Sequence, residues 1–267
     1  RSVETELIKL LAQPEDEMDL AHAALLIARL DNEELDIDNY RRQLAQMAAE
    51  AKARVSPGAT AEQKLDALRE YLFKECGFHG SRTDFYNRAN SYLNEVIDDR
   101  EGLPITLSVL FLELAHRIGL NEVVATSMPG HMLVKFTPEG GALKLIDVFE
   151  GGKFISREEA ADLAESYTGG RFRNEYLRTA SKKEIVVRIL RNLMAVAQRS
   201  ELPESALRYL DLIVAIEPES ALERLTRGMM RLRAGDMPGA RDDFKQLLDE
   251  APPGIDLDRV AELYRSL

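Results

Sequence analysis

The chain has 267 residues, 45% hydrophobic and 30% charged, which is enough to bury a core and excludes wholesale disorder. Its 35 Lys and Arg against 46 Asp and Glu leave a net charge of −11, a field that repels polyanions, so nucleic acid is not an expected partner. No apolar run approaches the roughly 20 residues that span a bilayer, so no membrane association is expected.

The one cysteine, Cys76, cannot form an internal disulfide and fits a reducing, cytoplasmic compartment. CxxC spacing is absent, and His22, His79 and His116 share no ligand spacing, so neither a metal nor a cofactor is expected. Arg171, Arg173 and Arg178 are the nearest approach to a basic patch and read as a solvated face. The sequence opens at Arg1 with no initiator Met and no apolar signal segment, which is compatible with removal of a leader but does not require one.

In chain order, residues 2–53 read as two or three helices. Val3, Leu7, Leu10 and Leu11 recur at helical spacing, a second apolar helix runs from Leu20 to about Leu30, and Tyr40, Leu44, Met47 and Ala48 line a third. Ser56-Pro57-Gly58 breaks the pattern, and a helix over roughly 61–75 follows, with Leu65, Leu68, Leu72 and Phe73 inward. Gly77 to Asn90 is irregular, and Ser91 to Asp98 reads as a short helix stopped near Gly102. A buried helix spans about 104–118, opened by Pro104, whose missing N–H costs nothing in a first turn, and closed by Gly119. Strands are expected at Val123–Ser127, Met132–Phe136 and Leu143–Val148, with Gly140-Gly141 turning between the last two and a short fourth strand around Phe154.

From about residue 184 only helices are expected, and a repeat of period 34 emerges there. It superimposes Ala206 on Ala240, Leu210 on Phe244, Ile213 on Leu247, Val214 on Leu248 and Pro218 on Pro252. The pattern resembles the second helix of a tetratricopeptide unit, with Ile213 and Leu247 standing where that motif prefers Ala; Gly228 sits where the next unit wants a small residue. Residues 256–267 read as a polar-faced cap. Two units and a cap are few for a free-standing superhelix and are expected to dock on the domain before them. The array offers either a groove for a peptide or packing alone.

The stretch from Phe85 to Asp147 carries the chemistry. A Gly102-Leu103-Pro104 turn enters a buried helix, His131 is expected at the start of a strand, and Asp147 near the end of the next. That order can bring a helix N-terminus, an imidazole and a carboxylate to one end of a cleft, as thiol acyl transfer requires. The runs Phe85-Tyr86-Asn87-Arg88-Ala89-Asn90-Ser91-Tyr92-Leu93, Arg100-Glu101-Gly102-Leu103-Pro104-Ile105-Thr106-Leu107-Ser108 and Pro129-Gly130-His131 resemble the SirB-type proteins, in which a transglutaminase-like domain precedes tetratricopeptide repeats. A weaker likeness covers Ala24 to Ala28, Leu35-Asp36 and Tyr40.

The resemblance implies an α+β protein. A helical N-terminal region (1–58) would pack on a papain-like, transglutaminase-like core with a small antiparallel sheet (59–181), followed by all-α tetratricopeptide-type repeats with a capping helix (182–267). It also implies that His131 is the base and Asp147 its orienter, and that a cysteine should stand two residues after Gly102. Pro104 stands there instead. Triad members act as a unit, so without the attacking atom His131 and Asp147 remain a dyad that binds and polarises. Tyr86, Asn87, Asn90 and Tyr92, with Asn94, are candidates to line the cleft beside Pro104 and Gly130, the asparagines alternatively satisfying local backbone. Two readings follow. One is a non-catalytic protein that binds a protein or peptide partner. The other is an acyl-transfer enzyme (amidase, protease or transamidase) using Cys76 or Ser108, with Thr106 a weaker candidate.

Overall fold

The computed structural model describes residues 2–267, which form two compact units that divide between Val186 and Val187. The first unit opens with α1 (Val3–Leu11), α2 (Leu20–Asp31) and α3 (Ile37–Ala53), each begun by a side-chain cap: Ser2 accepts from Thr5 N–H, Asp19 from His22 and Asp36 from Asn39. Helix α2 is buried from Leu20 to Leu30 on nearly every side, as an all-round apolar helix must be. Helix α4 (Ala61–Arg69) starts at a Thr60/Gln63 capping box and runs into a π-helical turn over Glu70–Glu75. That turn alters the rotation of the chain, so Tyr71 and Leu72 are buried while Phe73 is only half-buried, short of the inward position expected of it.

A two-residue strand β1 (His79–Gly80) comes next, then a 3₁₀ turn at Arg88–Ser91, α5 (Leu93–Asp99) and β2 (Glu101–Gly102). Strands β1 and β2 pair in parallel, His79 with Glu101 and Gly80 with Gly102, a contact that no sequence periodicity announced. Helix α6 (Pro104–Arg117) follows at once and is the centre of the unit, buried from Pro104 through Leu112 and again at Leu114 and Ala115. It packs against α2, α3, α4 and α5.

The sheet is an antiparallel meander of β3 (Val124–Ala125), β4 (Val134–Phe136), β5 (Lys144–Asp147) and β6 (Lys153–Ile155), with Val134 opposite Ile146 and Ile146 opposite Phe154. The expected strands are present, each shorter than its hydrophobic run. His131 does not begin one: it lies in a bend three residues ahead of β4. Helix α7 (Arg157–Thr168) was not anticipated; its Ala160 and Ala164 close a core with Met128, Leu133, Leu145 and Leu177.

Helix α8 (Lys182–Arg199) contains the division between the units. The second unit continues with α9 (Pro203–Ile216), α10 (Ala221–Arg233), α11 (Met237–Glu250) and α12 (Leu257–Arg265). Ala206, Leu210 and Ile213 on α9 and Ala240, Phe244 and Leu247 on α11 are all buried, so the 34-residue correspondence marks equivalent core faces. Gly228 on α10 is small for a steric reason: a Cβ there would stand 2.7 Å from the Phe244 ring. Buried Asp243 accepts from Arg227 at 2.7 Å and Arg231 at 3.0 Å, so its charge is matched inside the stack. Val260 of α12 packs onto Phe244 and Leu247 and closes the array.

Candidate functional site

The antiparallel register of β4 and β5 sets the chain just before β4 beside the end of β5. His131 approaches Asp147, the last residue of β5, with 2.8 Å between Nε2 and Oδ1. Both are buried, at 4% and 1% exposure. A carboxylate accepts, so the ring donates from Nε2, and in the neutral imidazole Nδ1 then carries the lone pair. Asp147 Oδ1 also accepts the backbone N–H groups of Phe149 (3.1 Å) and Glu150 (3.2 Å), which locks the turn into β6 and the carboxylate together. The dyad therefore has an architectural role as well as the geometry of a base with its orienter.

Aromatic rings cover the imidazole. Phe149 meets it edge-on at 5.6 Å between centroids, and Tyr167 of α7 lies at 5.9 Å. Phe85 packs on Phe149 at 6.2 Å and on Tyr86 at 5.4 Å. Gly130 permits this cover: its φ is +73°, and a Cβ there would lie 2.4 Å from the Tyr167 ring. Gly80 does the same for Phe149, again at 2.4 Å, and through the Gly80–Gly102 pairing the rings are linked to the entry of α6. Burial first, then the charges of Asp147, Tyr86 and Glu150, hold the Tyr167 phenol above its ordinary range.

At that entry Pro104 is the first helical residue and is buried. The neighbouring hydroxyls are engaged. Thr106 Oγ1 donates to Asn90 O at 2.7 Å and accepts from Leu103 N–H at 3.1 Å, while Ser108 Oγ donates to Pro104 O at 2.6 Å, the back-bond to the preceding turn that a helical serine often makes. Cys76 lies elsewhere, past the C-terminal end of the π-helical turn, in a depression of about 270 Å³ shared with Glu50, Tyr71 and Arg100.

Of the residues expected to line a cleft, Tyr86 packs on Phe85, which in turn meets Phe149. Asn87 caps the 3₁₀ turn through Ala89 N–H (3.0 Å), and the Asn90 amide donates to Asp84 O (2.7 Å), so both serve local backbone. Tyr92 donates to Asp31 at 2.5 Å, which turns it toward α2, and buried Asn94 lies in the first turn of α5, which Tyr92 precedes. Phe85, Phe149, Glu150 and Tyr167 were missed. The Ser156-to-Glu159 capping box was a readable signal for the helix that carries Tyr167, although nothing local says where its ring points. Among the described residues no group of three or more His, Cys, Asp and Glu side chains could hold a metal ion, and no helix is long and apolar enough to cross a membrane.

Residues 38–191 match the transglutaminase-like superfamily, and residues 193–265 match a tetratricopeptide repeat family. A UPF0162 protein of Xylella fastidiosa is 33% identical over 94% of this chain and 90% of its own length, and a UPF0162 protein of Vibrio cholerae is 24% identical over 97% and 95%. F-box only protein 21 of Pongo abelii is 28% identical over 72% of this chain, which is 32% of that larger protein. The crystal structure of menin matches over 91% of this chain and 69% of its own, with a TM-score of 0.44 and 11% identity, too distant to bear on function.

Proposed function

The chain belongs to the transglutaminase-like superfamily, within its UPF0162 branch, and on that premise we propose that it is a non-catalytic protein that binds a protein or peptide partner. The reading rests on the entry of α6. A superfamily enzyme needs a nucleophile at a helix tip, where the dipole favours an anionic sulfur. Here the tip is Pro104, a buried imino acid, and Ser108 and Thr106 have spent their hydroxyl protons on backbone carbonyls. Loss of the attacking atom from a comparable triad costs on the order of 10⁶ in kcat. The dyad keeps its shape because Asp147 also holds a turn, so its persistence does not require turnover. The tetratricopeptide unit fits the same reading, since stacked helices of this kind present extended surfaces to other proteins.

The test is covalent. Iodoacetamide and a fluorophosphonate probe are applied to the intact chain and to His131→Ala, and adducts are mapped by mass spectrometry. The expected result is slow alkylation of Cys76, equal in both proteins, and no adduct on Ser108 or Thr106. Stoichiometric labelling of any one residue, abolished by His131→Ala, would replace this reading with an acyl-transfer enzyme.

A further inference from the structure

The rest of the chain leaves one face of α10 open. Leu222 is 65% exposed, the most open large apolar side chain among the described residues. Thr226, Met230 and Arg233 follow it at spacings of four, four and three, which sets the four on one side of the helix. Met230 and Arg233 also line a groove of about 490 Å³, whose other wall includes Leu202, Ala206 and Leu207 at the start of α9. At the opposite end, exposed Glu219 stands just ahead of the Ser220 cap. Neither Glu219 nor Arg233 pairs with an opposite charge among the described residues. Glu201 and Glu204 sit across the groove, exposed and beyond pairing distance of Arg233.

The order along this face is a chemical palindrome. About Thr226 as centre, Leu222 and Met230 lie four residues to either side, and Glu219 and Arg233 lie seven. A two-fold axis through Thr226, normal to the helix, lays one α10 antiparallel on another. It sets Leu222 of each copy against Met230 and its groove in the other, and Glu219 of each against Arg233. An isologous contact demands this self-complementarity, because residue i meets j and j meets i. A partner of different sequence would need none of it. A wholly apolar segment would cover Glu219 and Arg233 without answering either charge. Thr226 is the smallest of these side chains and stands at the centre, where packed helices come closest. The face is short, 13 residues or about 20 Å of helix, so the contact falls in the small, weak class.

We infer that α10 is a self-association face, on which two copies of this chain pack antiparallel about Thr226 to form a two-fold dimer. No residue of the dyad takes part, so the inference stands apart from the binding-protein reading above.

Sedimentation equilibrium of the full chain tests it, from about 10 µM to about 1 mM, a span that resolves weak complexes. The mass is expected to rise from 30.0 kDa towards twice that value. Leu222→Asp is expected to hold the chain monomeric throughout. Because Leu222 is exposed, that variant should keep the Tm of the dilute wild type. Arg233→Glu and Glu219→Arg are each expected to weaken association about tenfold, since like charges then face one another twice per dimer. The combined exchange restores both pairs with their signs reversed and should return the affinity to within about threefold of wild type. A chain that stays at 30.0 kDa across the range would overturn the inference and leave the face to a partner of different sequence. A dimer indifferent to Leu222→Asp would overturn it as well, and so would an exchange that associates no better than its single variants.

Discussion

His131 and Asp147 show how one short contact can serve two purposes. Asp147 Oδ1 receives the imidazole and two backbone N–H groups in a buried setting. Removing it strands the buried imidazole donor and the Phe149 N–H, while the Glu150 N–H keeps the Asp147 backbone carbonyl at 3.2 Å; a buried donor left unmade costs about 1–3 kcal/mol. Asp147→Ala is therefore expected to destabilise the fold by about 3 kcal/mol, which lowers the Tm of a unit of this size by roughly 6–12 °C. Asp147→Asn keeps an acceptor oxygen in place and should cost about 1 kcal/mol. Thermal unfolding of the pair checks this, and equal losses for the two variants would mean that the backbone bonds contribute nothing. Legibility at this scale was uneven. Pro104, His131 and Asp147 stood out because their chemistry and order are informative in a linear string. Asn87 and Asn90 were ambiguous, since an amide that holds a turn and one that lines a cleft look alike until their partners are known.

Among the elements, the strongest sequence signals were the apolar helices and the repeat. Helices α2 and α6 are so uniformly hydrophobic that burial is their natural state, and the correspondence of Ala206 with Ala240 reports a recurring close approach. Gly228 offers a test of that packing. Alanine would raise helix propensity by about 1 kcal/mol. Its Cβ, however, would stand 2.7 Å from the fully buried Phe244 ring and 3.2 Å from Asp243, and overpacking of this sort costs about 1–3 kcal/mol. The clash is expected to win, so Gly228→Ala should lose about 1 kcal/mol net in denaturant unfolding. A second change, Phe244→Leu, should relieve part of that clash, and a stabilised Gly228→Ala would refute the account. Helix α7 escaped notice because it buries Ala160 and Ala164, small residues that leave a faint periodic trace.

Across the whole molecule, titration couples distant elements. Tyr40 on α3 donates to Asp98 on α5 at 2.5 Å, and its phenol is pushed up to about 12, by burial first and then by that bond. Tyr71 donates to Glu50 at 2.6 Å and is also pushed up, again chiefly by burial. Both protons are held more tightly folded than unfolded. Their contribution is complete below about pH 10 and is lost as pH rises through the folded values. Tyr40→Phe removes one of the two, so its Tm should decline less steeply above pH 10 than that of the wild type; parallel declines would exclude Tyr40 as a cause. The acid side runs the other way. The Tyr71 bond holds the Glu50 carboxyl below its ordinary range, and Arg54 does the same for Glu75, so these contributions are present at neutral pH and fade as pH falls through the lowered values.

What the linear chain determined was the helical character, the 34-residue repeat, the strands of the meander and the absence of a thiol at the tip of α6. Each is written in residue type and short-range period, which is where local physics acts. Only the tertiary structure decided that Phe149 and Tyr167 gather over one imidazole, because they come from separate stretches of chain. It also decided that Gly80 and Gly130 are bare so that rings can lie against them, and that Tyr92 serves α2. Side-chain direction and long-range proximity are set by the packing of whole elements, and no local pattern encodes them.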